Sequence, residues 1–328
     1  MNRLRAYARM LLYGSLLIAG RGFAPAQNPD PTAPARYGFA FQNFSDSFFT
    51  WDIYCHSYFG VPLDSTLTWA TATFDRAFYE LAFKSMLPNG GGSSNGNSSG
   101  NCFGISIMSI MMNKFGGYYG YCIPTSAYPG DNSGPYDQKL HRAINIMHGH
   151  ELSAAVLETY LDQAQSGHSQ NCNYGFQLAQ QTIGKEGPCL VSITNQQNPA
   201  DGSGGHTLIA YGVSENPHGH GQIWVVDPNR LWADTSYGRH WYMGDSNHID
   251  CDLGSGKWSY IMAVNTPWPT GSGNLIIVPA SLAGPPGRVP SSVGLSMADL
   301  LNKLLLSDAA HESYDDEIIL HVHAIPEP

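Results

Sequence analysis

The chain has 328 residues, 42% of them hydrophobic and 13% charged, with 36 glycines, 21 prolines and a formal charge of −10. Ample apolar content with so few charges describes a folded, loop-rich protein and excludes a disordered one. The acidic balance repels phosphate backbones, so neither nucleic acid nor an anionic membrane surface is an expected partner.

At the N-terminus, arginines 3, 5 and 9 precede an apolar stretch over residues 10–19, and Ala24-Pro25-Ala26 offers small residues for cleavage before Gln27. That is the layout of a secretory signal peptide over residues 1–26. The stretch is well short of the ~20 apolar residues a spanning helix needs. Its removal takes away four arginines and no acid, leaving a balance of −14. No later segment is long and apolar enough to span a bilayer, so a secreted or periplasmic protein is expected; its oligomeric state is not legible.

Residues 27–36 form a proline-rich leader, expected to be extended and mobile, and residues 37–60 read as aromatic and mostly extended. Over 67–87, Trp69, Phe74, Phe78, Leu81, Phe83 and Met86 recur at helical spacing, followed by a linker-like loop over 90–101. A helix over 103–115 is apolar almost all round and therefore belongs inside the domain. Further helices are predicted over 136–147, 151–165 and 174–184, then strands over 188–193, 206–213, 222–228, 260–265 and 274–279. Helices followed by an antiparallel sheet argue for an α+β domain over 37–280, with a helical half at 37–170 and a β half at 171–280. Residues 281–328 read as a linker and a tail with one short amphipathic helix at 296–306, too short for a core of its own.

Six cysteines follow the leader, at 55, 102, 122, 172, 189 and 251, and none shows the CxxC spacing of a zinc or redox motif. Cys102 stands apart because it begins the buried helix, where unpaired N–H groups and the helix dipole favour a thiolate, the nucleophilic form. Gly100 and Gly104 leave room for a substrate backbone, and Asn101 is placed to cap the helix. The competing reading is a buried structural cysteine. A second segment, GGHTLIAYGVSENPHGHGQIWVVDPN, reads as strand, turn and strand. Pairing about the middle of the loop sets Val213 opposite His220 and His206 opposite Asp227, within reach of a hydrogen bond. A thiol, an imidazole and a carboxylate are the minimal nucleophile, base and orienter.

GNCFG at a helix start, GGHTLIAYGV opening a strand, VVDPN closing the next, and KEGPCLVSIT before the histidine resemble the papain-like cysteine peptidases. Within that superfamily the likeness is to bacterial peptidases related to the double-glycine leader group, and it covers roughly residues 37–280. The resemblance implies a helical half and a β half with the site between them, Cys102 as nucleophile, His206 as base and Asp227 as orienter, and no cofactor. It departs at one position, since the family's oxyanion-donating Gln is replaced by Gly96. Asn97 stands first among substitutes, with Asn95, Asn101 and, more remotely, Gln42 and Asn43.

The histidine pairs at 148/150, 218/220 and 321/323 lack the carboxylate spacing of a metal motif and read as solvated turn residues, so no metal is expected. Tyr118, Tyr119, Tyr121, Trp224, Trp232, Trp241 and Trp258 read as core rather than cleft. The expected function is an exported thiol hydrolase acting on peptide or isopeptide amides. Two alternatives stay open: a transglutaminase-like acyl transferase, and a secreted binding module that has kept the fold without turnover.

Overall fold

A computed structural model describes residues 30, 32–44, 46, 49–59, 76, 78–83, 100–131, 133–194, 205–215, 219–230, 247–263, 266–268 and 273–284. The signal peptide, most of the helix read over 67–87, the loop before residue 100, His218, and everything beyond residue 284 lie outside them.

The fold is mixed helix and antiparallel sheet. Seven strands run in the order β10-β9-β8-β7-β6-β5-β11. They are β5 (Cys189–Thr194), β6 (Gly205–Glu215), β7 (His220–Val226), β8 (His248–Asp252), β9 (Lys257–Ala263), β10 (Thr266–Trp268) and β11 (Leu275–Val278). Two small hairpins precede the sheet, β1 and β2 (Gly117–Tyr118, Tyr121–Cys122) and β3 and β4 (Gly130–Asp131, Gly134–Pro135). The helices are α1 (Ala33–Tyr37), α2 (Trp51–Phe59), α3 (Cys102–Phe115), α4 (Gln138–Gly149), α5 (Ala154–Gln165), α6 (Cys172–Glu186) and α7 (Ala280–Ala283).

Local chemistry sets the helix ends. Asp137 accepts from the N–H groups of Lys139 and Leu140, and Asn171 from that of Asn173, so α4 and α6 begin with their free donors met. Helix α3 stops at Gly116, whose φ of 68° suits a residue without Cβ.

Both faces of the sheet are covered, which is why β5 and β11 are buried along their length. Leu190, Ile209, Val226 and Ile276 face a core built with Ile105, Met108 and Met112 of α3. Their strand neighbours Val191, Ala210, Val225 and Ile277 face the opposite way, into a core with Phe176 and Ala179 of α6. A third, aromatic cluster gathers Phe49, Tyr54, Tyr58, Phe78, Tyr79 and Phe83 against Ile146 of α4.

Four readings of the sequence need correction. Residues 33–36, assigned to a mobile leader, are part of α1, where Ala33 and Pro34 are buried and Ala33 belongs to the α3 core. Residues 51–59 are helical, not extended. Packed structure continues past residue 280 through α7, whose Ala280 and Ala283 are buried. Strand β8 is absent from the predicted elements because HIDCD alternates histidine, aspartate and apolar residues and reads as a polar loop.

The β6/β7 register also differs from the sequence reading. Val213 pairs with Ile223, and Ile209 with Val226, with a bulge between Ala210 and Gly212. In the outer half of the hairpin the slip is odd, which alone would put His206 and Asp227 on opposite faces. The extra residue at the bulge, Tyr211, makes the slip even again and returns both side chains to one face, offset diagonally instead of directly opposed.

Candidate active site

Helix α3 carries Cys102 on its first turn, buried beneath the edge of the sheet. The residue before it is pinned at both ends. Asn101 donates its backbone N–H to Phe44 O at 2.7 Å, and its carbonyl receives the first helical bond from Ile105. Its side chain does not cap the helix: Nδ2 donates instead to Asn145 Oδ1 (2.7 Å) and Asp46 Oδ2 (3.1 Å). Asn101 is therefore a structural clamp, with its amide donors already in use, and a poor oxyanion candidate.

The glycines around the thiol leave no open space. A Cβ on Gly104 would meet Ile144 O and His148, so this glycine permits α3 and α4 to touch. A Cβ on Gly100 would collide with the amide of Asn43. Asn43 in turn donates its backbone N–H to Pro228 O at 2.9 Å, which ties it to the turn after Asp227. Its side-chain Oδ1 is buried and has no hydrogen-bond partner among the described residues. Gln42, half-buried, immediately precedes it. Asn95 and Asn97 lie outside the described residues.

Cys102, His206 and Asp227 come together. His206 Nε2 lies 2.7 Å from Asp227 Oδ1, with both side chains almost wholly buried. The Cys102 sulfur accepts the N–H of Thr207, the residue after His206, at 3.4 Å, near enough to the imidazole to help hold its charge. Among the described residues Cys102 forms no disulfide.

The carboxylate is held from several sides. Asp227 Oδ2 accepts from Tyr260 Oη at 2.6 Å, Oδ1 from the Asn229 N–H at 2.8 Å, and Arg230 Nε stands 3.7 Å from Oδ2. Arg230 is itself fixed by Asn247 Oδ1 at 2.6 Å. Burial alone would raise the Asp227 carboxyl, but His206, Arg230 and Tyr260 outweigh it and hold the group well below the usual carboxylate range. Burial likewise acts to lower His206; the Asp227 charge and hydrogen bond, reinforced by Cys102, reverse that and raise the imidazole to about 10. The resting pair is an imidazolium on a carboxylate, with the Cys102 sulfur held at the next backbone N–H.

Sequence spacing gave no signal for Tyr260 or Arg230. Tyr260 arrives from β9, 33 residues beyond Asp227. The Pro-Asn-Arg run after Asp227 is the one local hint, since a turn there swings Asn229 and Arg230 back onto the carboxylate.

His148 and His150 are not solvated turn residues; both are buried. His148 Nδ1 accepts the Gly104 N–H at 3.3 Å, which supports the first turn of α3, and lies 3.5 Å from Glu151. His150 Nδ1 bonds Ala283 O at 2.7 Å, and burial lowers this imidazole to about 4, keeping it neutral. Among the described residues no three His, Cys, Asp or Glu side chains are grouped to hold a metal ion.

No protein-family model, curated protein or solved structure matches the chain, so the reading of the site rests on its own geometry. Among the described residues no helix is long and apolar enough to cross a membrane.

Proposed function

We propose that the protein is a thiol hydrolase of papain-like fold that is exported and cleaves peptide or isopeptide amides. The observation that carries this reading is the buried His206–Asp227 pair at 2.7 Å, with the Cys102 sulfur against the N–H of Thr207, the residue next to His206. The sulfur attacks the acyl carbon as thiolate, and the His206 imidazolium gives its proton to the departing amine as the C–N bond breaks. That leaves a thioester on Cys102. Water, deprotonated by the now neutral His206, then attacks the thioester, the C–S bond breaks to release the acid, and the thiolate and imidazolium are restored. Asp227 keeps the ring oriented and stabilises its charge throughout.

The negative oxygen of each tetrahedral intermediate needs donors. The Cys102 N–H, on the first helical turn, is one. Asn43 supplies the second in this reading: its amide lies against Gly100, two residues before the thiol, and is tied through its own backbone to the turn after Asp227.

The test is mapping of a thiol-directed electrophile on the full chain at mildly acidic pH. Selective modification of Cys102 that His206→Ala removes supports the hydrolase, and slow, uniform modification of all accessible thiols contradicts it. A peptide-library digest with and without added amine then separates hydrolysis from acyl transfer.

A further inference from the structure

The way α3 meets β6 carries a second inference, which rests on the thiol hydrolase reading. Strand β6 is longer than its neighbour: β7 pairs with it only from Ile209 to Glu215, while β5 pairs with it from Gly205 to Ala210. Among the described residues no strand pairs with 205–208 on the side where β7 has ended. In a strand the N–H and C=O of one residue point to the same side, so an edge residue exposes a donor and an acceptor together.

Helix α3 closes this edge at Thr207. The Thr207 N–H donates to Cys102 Sγ at 3.4 Å, and the Thr207 carbonyl accepts from Ser106 Oγ at 3.3 Å. Cys102 and Ser106 are four residues apart, one above the other on a helix face, which matches the two-pronged edge of a single strand residue. On its other side Thr207 faces Ser192 across the β5/β6 ladder. Its Oγ1 bonds Ser192 Oγ at 2.9 Å, and Ser192 bonds Tyr160 Oη of α5 at 2.9 Å. Ser106, Ser192 and Thr207 are all buried.

We propose that the Thr207 main-chain N–H is an anion-stabilising donor to the nucleophile, with Ser106, Ser192 and Tyr160 acting as positioning residues that hold it on the sulfur. A donor aimed at the sulfur favours the thiolate before substrate arrives. The same stabilisation makes each thiolate less nucleophilic, because reactivity falls as the anion becomes more comfortable. Loosening the clamp therefore has opposite effects at the two ends of the pH scale, and a merely structural defect does not.

The experiment is the rate of Cys102 modification by dithiodipyridine as a function of pH, read by peptide mass on the full chain. The thiolate attacks one probe sulfur, the S–S bond breaks and pyridinethione leaves with the electron pair. Thr207→Val removes the hydroxyl link and Ser106→Ala the carbonyl prong. Each is expected to lower the acid-side rate roughly threefold, and the two together roughly tenfold, the loss of one hydrogen bond to a charged group. At the alkaline plateau the double variant is expected to equal or exceed the wild type by up to about threefold. Thr207→Ser is expected to restore the wild-type profile. A double variant that matches the wild type at every pH, or is slower by one factor throughout, overturns the proposal while leaving the hydrolase reading intact. A wild type whose Cys102 reacts no faster than Cys122 overturns the hydrolase reading and the clamp with it. If the double variant does not fold, Ser192→Ala makes the same test, with a smaller shift in the same direction expected and an unchanged profile overturning the proposal.

Discussion

Three imidazole–carboxylate pairs lie against the start of α3, one of them His148–Glu151 at Gly104. The other two are His206–Asp227, next to the Thr207 N–H that meets the Cys102 sulfur, and His141–Asp46, bonded to Asn101. Their distances are similar, 2.7 and 3.0 Å, but side-chain exposure is 4% and 1% in the first and 17% and 25% in the second. The inner carboxylate is backed by a buried arginine and a tyrosine hydroxyl; the outer one is backed by two asparagine amides. For Asp46, burial acts to raise the carboxyl, and the His141 hydrogen bond and charge together with the Asn101 and Asn145 amides outweigh it, giving a lowered value. Closeness alone does not separate a reactive pair from a structural one. What separates them is exclusion of water, which strengthens each charge interaction, and the nearby thiol, held at the Thr207 N–H.

The comparison is broken most severely at His206. His206→Ala removes base and leaving-group acid together, and turnover on a cleaved peptide is expected to fall on the order of 10⁴- to 10⁶-fold. Asp227→Asn is expected to cost about 10⁴-fold in kcat, and it has a second readout in melting temperature against pH. With its lowered pKa, Asp227 contributes stability that is present above the unfolded value near 4 and lost as pH falls. With a raised one, His206 contributes stability that is present below about 6.5 and lost as pH rises through about 10. The wild type should therefore lose stability at both ends of the range, and Asp227→Asn should flatten both limbs.

Asn43→Ala removes the proposed second oxyanion donor and is expected to lower kcat by about 10²- to 10³-fold with KM little changed, measured by steady-state hydrolysis. The smallest change is at the outer pair. Asp46→Asn is expected to leave activity within about threefold of wild type and to cost about 1 kcal/mol in a denaturant melt, the range of a partly exposed ion pair. A loss at Asp46 as large as that at Asp227 would erase the distinction between the two pairs.

Much of this site was legible in the sequence. An apolar run long enough for a buried helix marked α3, and the alternating segment ending in Asp-Pro marked the strands that carry His206 and Asp227. Burial of the aromatic segment 51–59 as a helix was not legible, because Trp, Tyr and Phe favour extended chain until Tyr54 is packed among other rings. Nor was the bulge at Tyr211, although the facing of the triad depends on it. Tyr260, Arg230 and Thr207 remained hidden for a related reason: their roles arise from strand order and strand length, which the spacing of residues along the chain does not encode. The buried His148 and His150 show the reverse error, a polar motif that reads as surface and is held inside by Gly104 N–H and Ala283 O.

The most direct test of the thiol–imidazole–carboxylate chain is the alkylation rate of Cys102 by iodoacetamide between pH 5 and 9, compared with exposed Cys122 in the same sample. The expected result is rapid Cys102 modification already at pH 5 to 6, well ahead of Cys122 in the same sample and collapsing in His206→Ala. Parallel curves for the two cysteines, unaffected by His206→Ala, would contradict it.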